Sequence, residues 1–441
     1  MRKTGPSLSD GPEGVKKTGR RQSASAALHQ TFRALRNRNY RLFWSGQVIS
    51  AMGTWMQRIA LAWLVLEITD SPLALGLVTT FQTLPVLFLS LFGGVIADRV
   101  SKRKLLLVTQ AVKLVPSAVL AILVILGNSN LVAIYILATL LGITNAIDSP
   151  ARQAFVKELA GPDDLPNAIA LNSIVFNSAR LIGPALGGLT IAWVGVAGCF
   201  TIDALSFVAV LIGLAMMREE ELYDVPNPPK GRMLNQITEG VRYAARTPDI
   251  ALVLILMAVI GTFGYNFTVL LPLIAKYVLD AGPIGFGILT SSMAVGSLSA
   301  AVGIAYSGRV SRRTLMIGAT GFPVLLTGLA LSNVWLTTVA VLIALGVFSI
   351  TFSATANSRL QMLSAPEMRG RVMSFYTLLF MGSTPIGSLV IGTLADHQGV
   401  QAATAEVALI CAIGVVIGYL YIRAHSTDPV EQPVLHQQQA P

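Results

Sequence analysis

Twelve apolar runs of roughly 20 residues each occupy most of the chain, a length suited to crossing a ~30 Å hydrocarbon core at ~1.5 Å per helical residue. They lie near 41–66, 73–97, 105–126, 130–150, 167–193 and 197–217, then near 250–275, 283–307, 314–331, 335–357, 371–395 and 402–422. Charged residues make up only 12% of the chain, about half the ~25% of soluble domains. The sequence therefore predicts an all-α membrane protein with twelve transmembrane helices in two six-helix bundles. The bundles are read as 39–217 and 249–423, joined by a cytoplasmic linker at 218–248. Residues 1–38 are read as a disordered basic tail; they carry nine Lys or Arg and no apolar stretch that would make a signal peptide. Residues 424–441 are read as a second tail.

Orientation follows from the bias of Lys and Arg toward the cytoplasm. If the N-terminus is inside, 28 of the 32 basic residues fall in inner segments and one, Lys276, in an outer loop. The remaining three, Arg58, Lys113 and Arg180, lie within spans. Both termini are thus expected in the cytoplasm, in a multi-pass protein of the plasma (inner) membrane. The net charge of +10 is accounted for by this flanking pattern, so no nucleic-acid partner is expected. Cys199 and Cys411 sit inside apolar runs and imply no disulfide framework. The histidines, His29, His397, His425 and His436, lie in tails or a loop without metal-binding spacing. Neither a metal nor a cofactor is expected.

The two halves repeat one another. A shift of 210 residues lays Arg99-Val100-Ser101-Lys102-Arg103 over Arg309-Val310-Ser311-Arg312-Arg313, and a shift of 204 lays Pro162, Gly183 and Gly188 over Pro366, Gly387 and Gly392. Two like-oriented six-helix units with a ligand site between them describe a common secondary-transporter plan. The run from Gly94 through Asp98, Arg99, Lys102, Arg103 and Lys104 resembles the G-x-x-x-D-R-x-x-[RK]-[RK] loop of the major facilitator superfamily. The run Arg180-Leu-Ile-Gly183-Pro184-Ala-Leu-Gly187-Gly188 resembles the glycine-proline signature of its antiporters, with Ala179 where a first glycine is usual. The stretches from Gly53 and from Asp148 resemble the exporter branch that holds enterobactin-type siderophore exporters and macrolide-efflux proteins. The resemblance covers about residues 30–423.

The resemblance implies a cytoplasmic gate built from Gly94, Asp98, Arg99, Arg103, Asp148, Arg152 and Arg371, with Asp98 beside the start of the eleventh span or near Arg152. The second knot has Gly308 where the first has Asp98, so this latch would belong to the first half. Arg99, Lys102, Arg103 and Lys104 also suit anionic headgroups, at about 1 kcal/mol each near the surface. Gly183, Pro184, Gly187 and Gly188 imply a bend and a close helix contact that shuts the outer side.

Charges inside spans are costly, at about 2.5–3.5 kcal/mol each on insertion scales. Counted from the helix ends, Arg58, Arg180 and Asp203 share a layer about 20–25 Å above the inner face. Lys113, only about 12 Å in, is expected to snorkel, and Glu67 to be solvated. Asp203 is expected either to pair with Arg180 or to carry a coupling proton, with pairing the stronger reading. Trp55, Gln57, Arg58, Gln82, Asn172, Asn177, Arg180, Asn266 and Gln361 are the candidate substrate-cavity residues.

No nucleotide-binding G-x-x-x-x-G-K-[ST] is present, and no cluster suited to a membrane-embedded enzyme. The expected function is export of a small amphipathic molecule (a siderophore, drug or other secondary metabolite) by proton antiport, with membrane lipids and a proton gradient as partners and a monomeric state. Proton-coupled import and lipid or lysolipid flipping are the alternatives.

Overall fold

The computed structural model describes residues 32–223, 233–308 and 310–425. Helices account for nearly all of them, as hydrocarbon demands, since a helix satisfies its own backbone hydrogen bonds. Six spans form the first half: α1 (Arg38–Thr69), α2 (Pro72–Arg99), α3 (Lys102–Ile125), α4 (131–160), α5 (162–194) and α6 (Val196–Ala215). The second half holds α7 (Pro248–Val278), α8 (Gly282–Ser307), α9 (Arg312–Leu331), α10 (Trp335–Leu363), α11 (Pro366–Gln398) and α12 (Val400–His425). Polar residues set where spans begin. Asn37, Ser71, Asn130 and Ser311 each cap a helix by accepting from a backbone N–H three residues on.

The fourth and fifth spans are the limbs of one continuous 64-residue helical stretch, Leu131–Val194. At ~1.5 Å per residue it would run ~96 Å, far beyond any bilayer. It breaks at Gly161, whose φ of 68° suits glycine alone. The Tyr223 ring stacks against that break, so closely that a Cβ on Gly161 would come within 2.7 Å of it. Among the described residues eleven apolar helices thus make twelve crossings. Large apolar side chains such as Phe88, Val132, Trp193 and Val324 stand exposed on the outer surface, where lipid would cover them.

One expectation about the polar segments is corrected. Residues 33–38 are ordered: Arg33–Arg36 form a short 3-10 helix, Ala34 is fully buried and donates to Asn167, and Arg33 pairs with Asp164. The tail proper, up to residue 31, lies outside the described residues, as do 426–441. Within the linker read at 218–248, Met233–Arg246 is a helix. It docks on α11, where Glu239 pairs with Arg371 at 2.7 Å and Gly240 lies against Phe375.

The halves meet along two seams at the face opposite the tails. In one, Gly188 and Pro184 of α5 lie against Pro283 and Gly287 of α8; a Cβ on Gly188 would come within 2.5 Å of the Pro283 carbonyl oxygen. In the other, Gly76 and Thr80 of α2 meet Gly392 and Ser388 of α11, with the two hydroxyls 3.0 Å apart. The sequence repeat thus reappears as two matching backbone contacts. Polar ties close the rim. Lys276 reaches Asp70 at 2.7 Å and the Leu66 carbonyl at 2.5 Å, Tyr277 donates to Asp70, and Ser71 donates to Asp396. Below the seams, Ser173, Phe176 and Asn177 of α5 are exposed. The molecule is closed on the far side and open toward its tails.

The rim makes a prediction about pH. Hydrogen bonds from Lys276 and Tyr277, with the lysine's charge, hold the Asp70 carboxyl below its ordinary value. A carboxyl so depressed lends its stability above the unfolded value of about 3.9 and loses it as pH falls through the lower folded value. Far-side closure should therefore be insensitive to this pair between about pH 8 and about pH 5 and loosen only below about pH 4. Lys276→Met should loosen it modestly at neutral pH, because exposed ion pairs are weak. Spin-label distances between the far ends of α2 and α11 check both; a change centred near neutrality, or none with Lys276→Met, contradicts this account.

Candidate functional site

The spacing of polar residues on α3 organises the first half. Thr109, Lys113 and Ser117 recur every four residues and so share one face. That face holds two buried acids. Asp148 of α4 accepts from Thr109 Oγ1 at 2.8 Å, Gln110 Nε2 at 2.7 Å and Lys113 Nζ at 2.8 Å. It also pairs with Arg152, one turn along its own helix, and Arg152 reaches Gln47 of α1 at 2.5 Å. Lys113 therefore does not snorkel: it is 6% exposed and ion-paired inside the bundle. A carboxylate with four donors is the arrangement that offsets the cost of burying charge.

Asp203 of α6, the second acid, is held differently. One oxygen accepts from Ser117 Oγ at 2.6 Å; the other, Oδ1, is buried without a partner. Among the described residues it makes no ion pair, so the expected Arg180–Asp203 pair is absent. The reason is direction. Asp203 points to α3 and α1, whereas Arg180 lies on the α5 face that turns to the other half. Beside Asp203 is a small pocket lined by Thr54, Gln57, Arg58, Gln82, Lys113, Leu141, Asn145, Asp203 and Phe207. It is polar and large enough for water. Gln57 Nε2 is a second buried polar atom there with no partner, so one water between Gln57 and Asp203 would satisfy both. Arg58 is exposed at the pocket's edge and lies over the Trp55 ring, 4.9 Å from its centroid.

The remaining sequence candidates disperse. Gln57, Arg58, Gln82 and Asp203 converge on this pocket, and Trp55 lies under Arg58. Asn177 is exposed on α5 and donates to its own helix at Ser173, and Asn172 is half-buried five residues earlier. Gln361 is exposed on α10, bonded to Asn357. Asn266 is buried against α11 beside Gly387 and bonded to Thr262. Gly183 and Gly187 pack on α1 at Trp55 and Met56, while Pro184 and Gly188 pack on α8.

At the expected gate, Asp98 and Arg99 are exposed at the tail end of α2, and a Cβ on Gly94 would meet nothing within 4 Å. Arg103 caps α6 instead of facing lipid, donating to the Leu214 and Ala215 carbonyls and pairing with Glu219. Lys102 pairs with Glu158 at 2.7 Å. Arg371 is engaged by the linker helix through Glu239.

Asp148 makes a stability prediction. Asp148→Asn leaves Lys113 and Arg152 side by side without their shared counter-charge, and breaking a buried pair this way costs about 3–5 kcal/mol. Thermal unfolding in detergent should show a large drop. Glu158→Gln, at the tail-side end of α4, should cost far less; equal losses would show that the cluster is not the structural hub.

Comparison with known proteins agrees with this architecture. A family model described as "Transmembrane secretion effector" matches residues 29–439. The staphyloferrin A transporter of Staphylococcus aureus is 27% identical, the match covering 81% of this chain and 90% of that one. The multidrug efflux pump Tap of Mycolicibacterium fortuitum is 27% identical, over 86% and 95%. Macrolide efflux protein A of Streptococcus pyogenes is 22% identical, over 81% and 89%. Among solved structures, a bacterial homologue of the lysosomal transporter Spinster, inward-facing and unoccupied, superposes with a TM-score of 0.68 at 11% identity, covering 87% of this chain and 97% of that one. A POT family transporter gives 0.71 at 12% identity, over 89% and 97%. At such identities the likeness is one of fold. The twelve-helix repeat, the seams between its halves and the match over almost the whole sequence lead to one conclusion: the chain is a secondary transporter of the major facilitator superfamily and belongs to its transmembrane secretion effector family.

Proposed function

We propose that the protein exports a small amphipathic molecule from the cytoplasm, driven by protons moving inward, with Asp203 as the proton carrier. On this reading it is a monomer in the cytoplasmic membrane with both termini inside, and the open cavity faces the cytoplasm. The observation that carries the coupling is the contrast between two buried acids. Asp148 is surrounded by donors and has no room for a proton. Asp203 has a bare oxygen at a water-sized pocket, and its Ser117 bond is compatible with either protonation state. The groups facing Asp203 are Lys113 and Ser117 from α3, Gln57 and Arg58 from α1, and Cys199 and Ser206 from its own helix. Export rather than uptake is supported by the family description and by relatives named as efflux proteins. Lipid or lysolipid flipping would instead call for a cavity open sideways to the bilayer, and no observation favours it.

Transport into inverted membrane vesicles tests the reading. With the vesicle interior made acid, they should accumulate fluorescent amphipathic compounds, and a protonophore should stop accumulation. Asp203→Asn keeps the acceptor for Ser117, so it should fold normally, lose accumulation against a gradient and retain downhill movement. Accumulation that persists in Asp203→Asn excludes Asp203 as the carrier; accumulation indifferent to the protonophore excludes proton antiport.

A further inference from the structure

The α5–α8 seam has a register that extends beyond its glycines. Gly188 meets Pro283 and Pro184 meets Gly287, so each step of four along α5 is matched by four in reverse along α8. One more step brings Arg180 level with Ser291. Arg180 lies on the same α5 face as Pro184 and Gly188, one turn below the point where the backbones touch. Further down that face are Asn177, Phe176 and Ser173, all exposed. Arg180 is therefore the last polar side chain before the cavity closes.

Both members of this level lack partners. Among the described residues Arg180, half-buried, makes no hydrogen bond or ion pair, and Ser291 Oγ is buried with none. Arg58, the neighbouring cation of the same layer, also has no ion pair and rests on Trp55. Asp203 cannot serve Arg180, because it is turned away into the first half. Facing Arg180 from the second half is Tyr265, whose own proton is given to the Ser349 carbonyl at 2.6 Å. Behind it stand Phe322, Phe380 and Tyr376, packed ring to ring at 5.1–5.7 Å. The equivalent position in the α2–α11 seam, 204 residues on, is Thr384, so the cation belongs to one seam only. An unpaired intramembrane cation costs about 2.5–3.5 kcal/mol, and a hydroxyl donor at the same level suits the same ligand.

We infer that Arg180 and Ser291 form an anion subsite at the closed end of the cavity, and that the transported class is an aromatic or otherwise apolar molecule bearing a carboxylate or similar anionic group. The anion meets the guanidinium and the serine hydroxyl. The apolar part lies on the Tyr265–Phe380 wall. Placed there, the ligand sits directly beneath the seam that must part for release, so occupancy and seam opening act on the same residues. This rests on the transporter reading but not on the direction of transport or on proton coupling.

The test is equilibrium binding to the purified full chain in detergent at neutral pH, using dansylglycine and its uncharged partner dansylglycinamide. The carboxylate should bind at least about tenfold tighter, the scale of a charge-assisted hydrogen bond in a desolvated site. Arg180→Gln should abolish the preference, mainly by weakening the anion, while Arg180→Lys restores much of it. Ser291→Ala, a change too small to threaten folding, should reduce the preference severalfold and keeps the test decisive if Arg180→Gln is unstable. Equal binding of the two probes, no saturable binding of the anion, or a preference that survives both Arg180→Gln and Ser291→Ala overturns the subsite. Because no gradient is involved, a preserved preference in a protein that fails to accumulate compounds in vesicles would count against the export reading alone.

Discussion

Backbone-to-backbone contact between the halves is the constraint on which the rest of this molecule depends. At Gly188–Pro283 and Gly76–Gly392 the helices approach until a single added carbon would collide with a main-chain atom. Lipid supplies little hydrophobic drive between helices, so close packing of small residues is what holds them together. It also makes the contact separable, because main chain meets main chain there and only small groups, the Thr80 and Ser388 hydroxyls, reach across it. An alternating-access machine needs an interface that is tight when shut and smooth when parting. The glycines provide both, and the cavity exists because the same helices diverge below them.

Charge inside the first half follows a second rule: each buried ion is either fully compensated or left facing water. Asp148 is compensated by four donors from two helices. Asp203, Arg58 and Arg180 are not, and all three border open space or an internal pocket. A fold that merely needed stability would have paired them, since an unpaired buried charge is the expensive state. Their exposure to a pocket and a cavity is the ground for the roles proposed for them.

Much of this was legible in the sequence. Run length gave the twelve spans, and the shifted glycines and prolines gave the repeat, because both are one-dimensional patterns tied to membrane thickness and helix rise. Depth was legible too: Arg58, Arg180 and Asp203 do belong to one region of the molecule. Direction around the helix axis was not. Counting residues from a helix end yields height and no azimuth, and height alone pairs Asp203 with Arg180 and sends Lys113 to the lipid surface. The missing signal was present at Thr109, Lys113 and Ser117, a polar stripe with a four-residue repeat that a lipid-facing helix would not carry. Ser291 left no such trace, since its meaning comes only from the register of the seam.

The lone lysine of the far rim has a consequence for the surface around it. Lys276 is spent on Asp70 and the end of α1, while Glu67, Asp280 and Asp396 crowd the same face. The far mouth therefore carries a surplus of negative charge, opposite in sign to the cavity layer of Arg58 and Arg180. Such a surface concentrates cations, protons among them, and thins out anions near the opening. For the anionic cargo proposed above, this field would act alike on exit and entry, slowing passage through the far mouth in both directions and leaving net direction to the driving gradient.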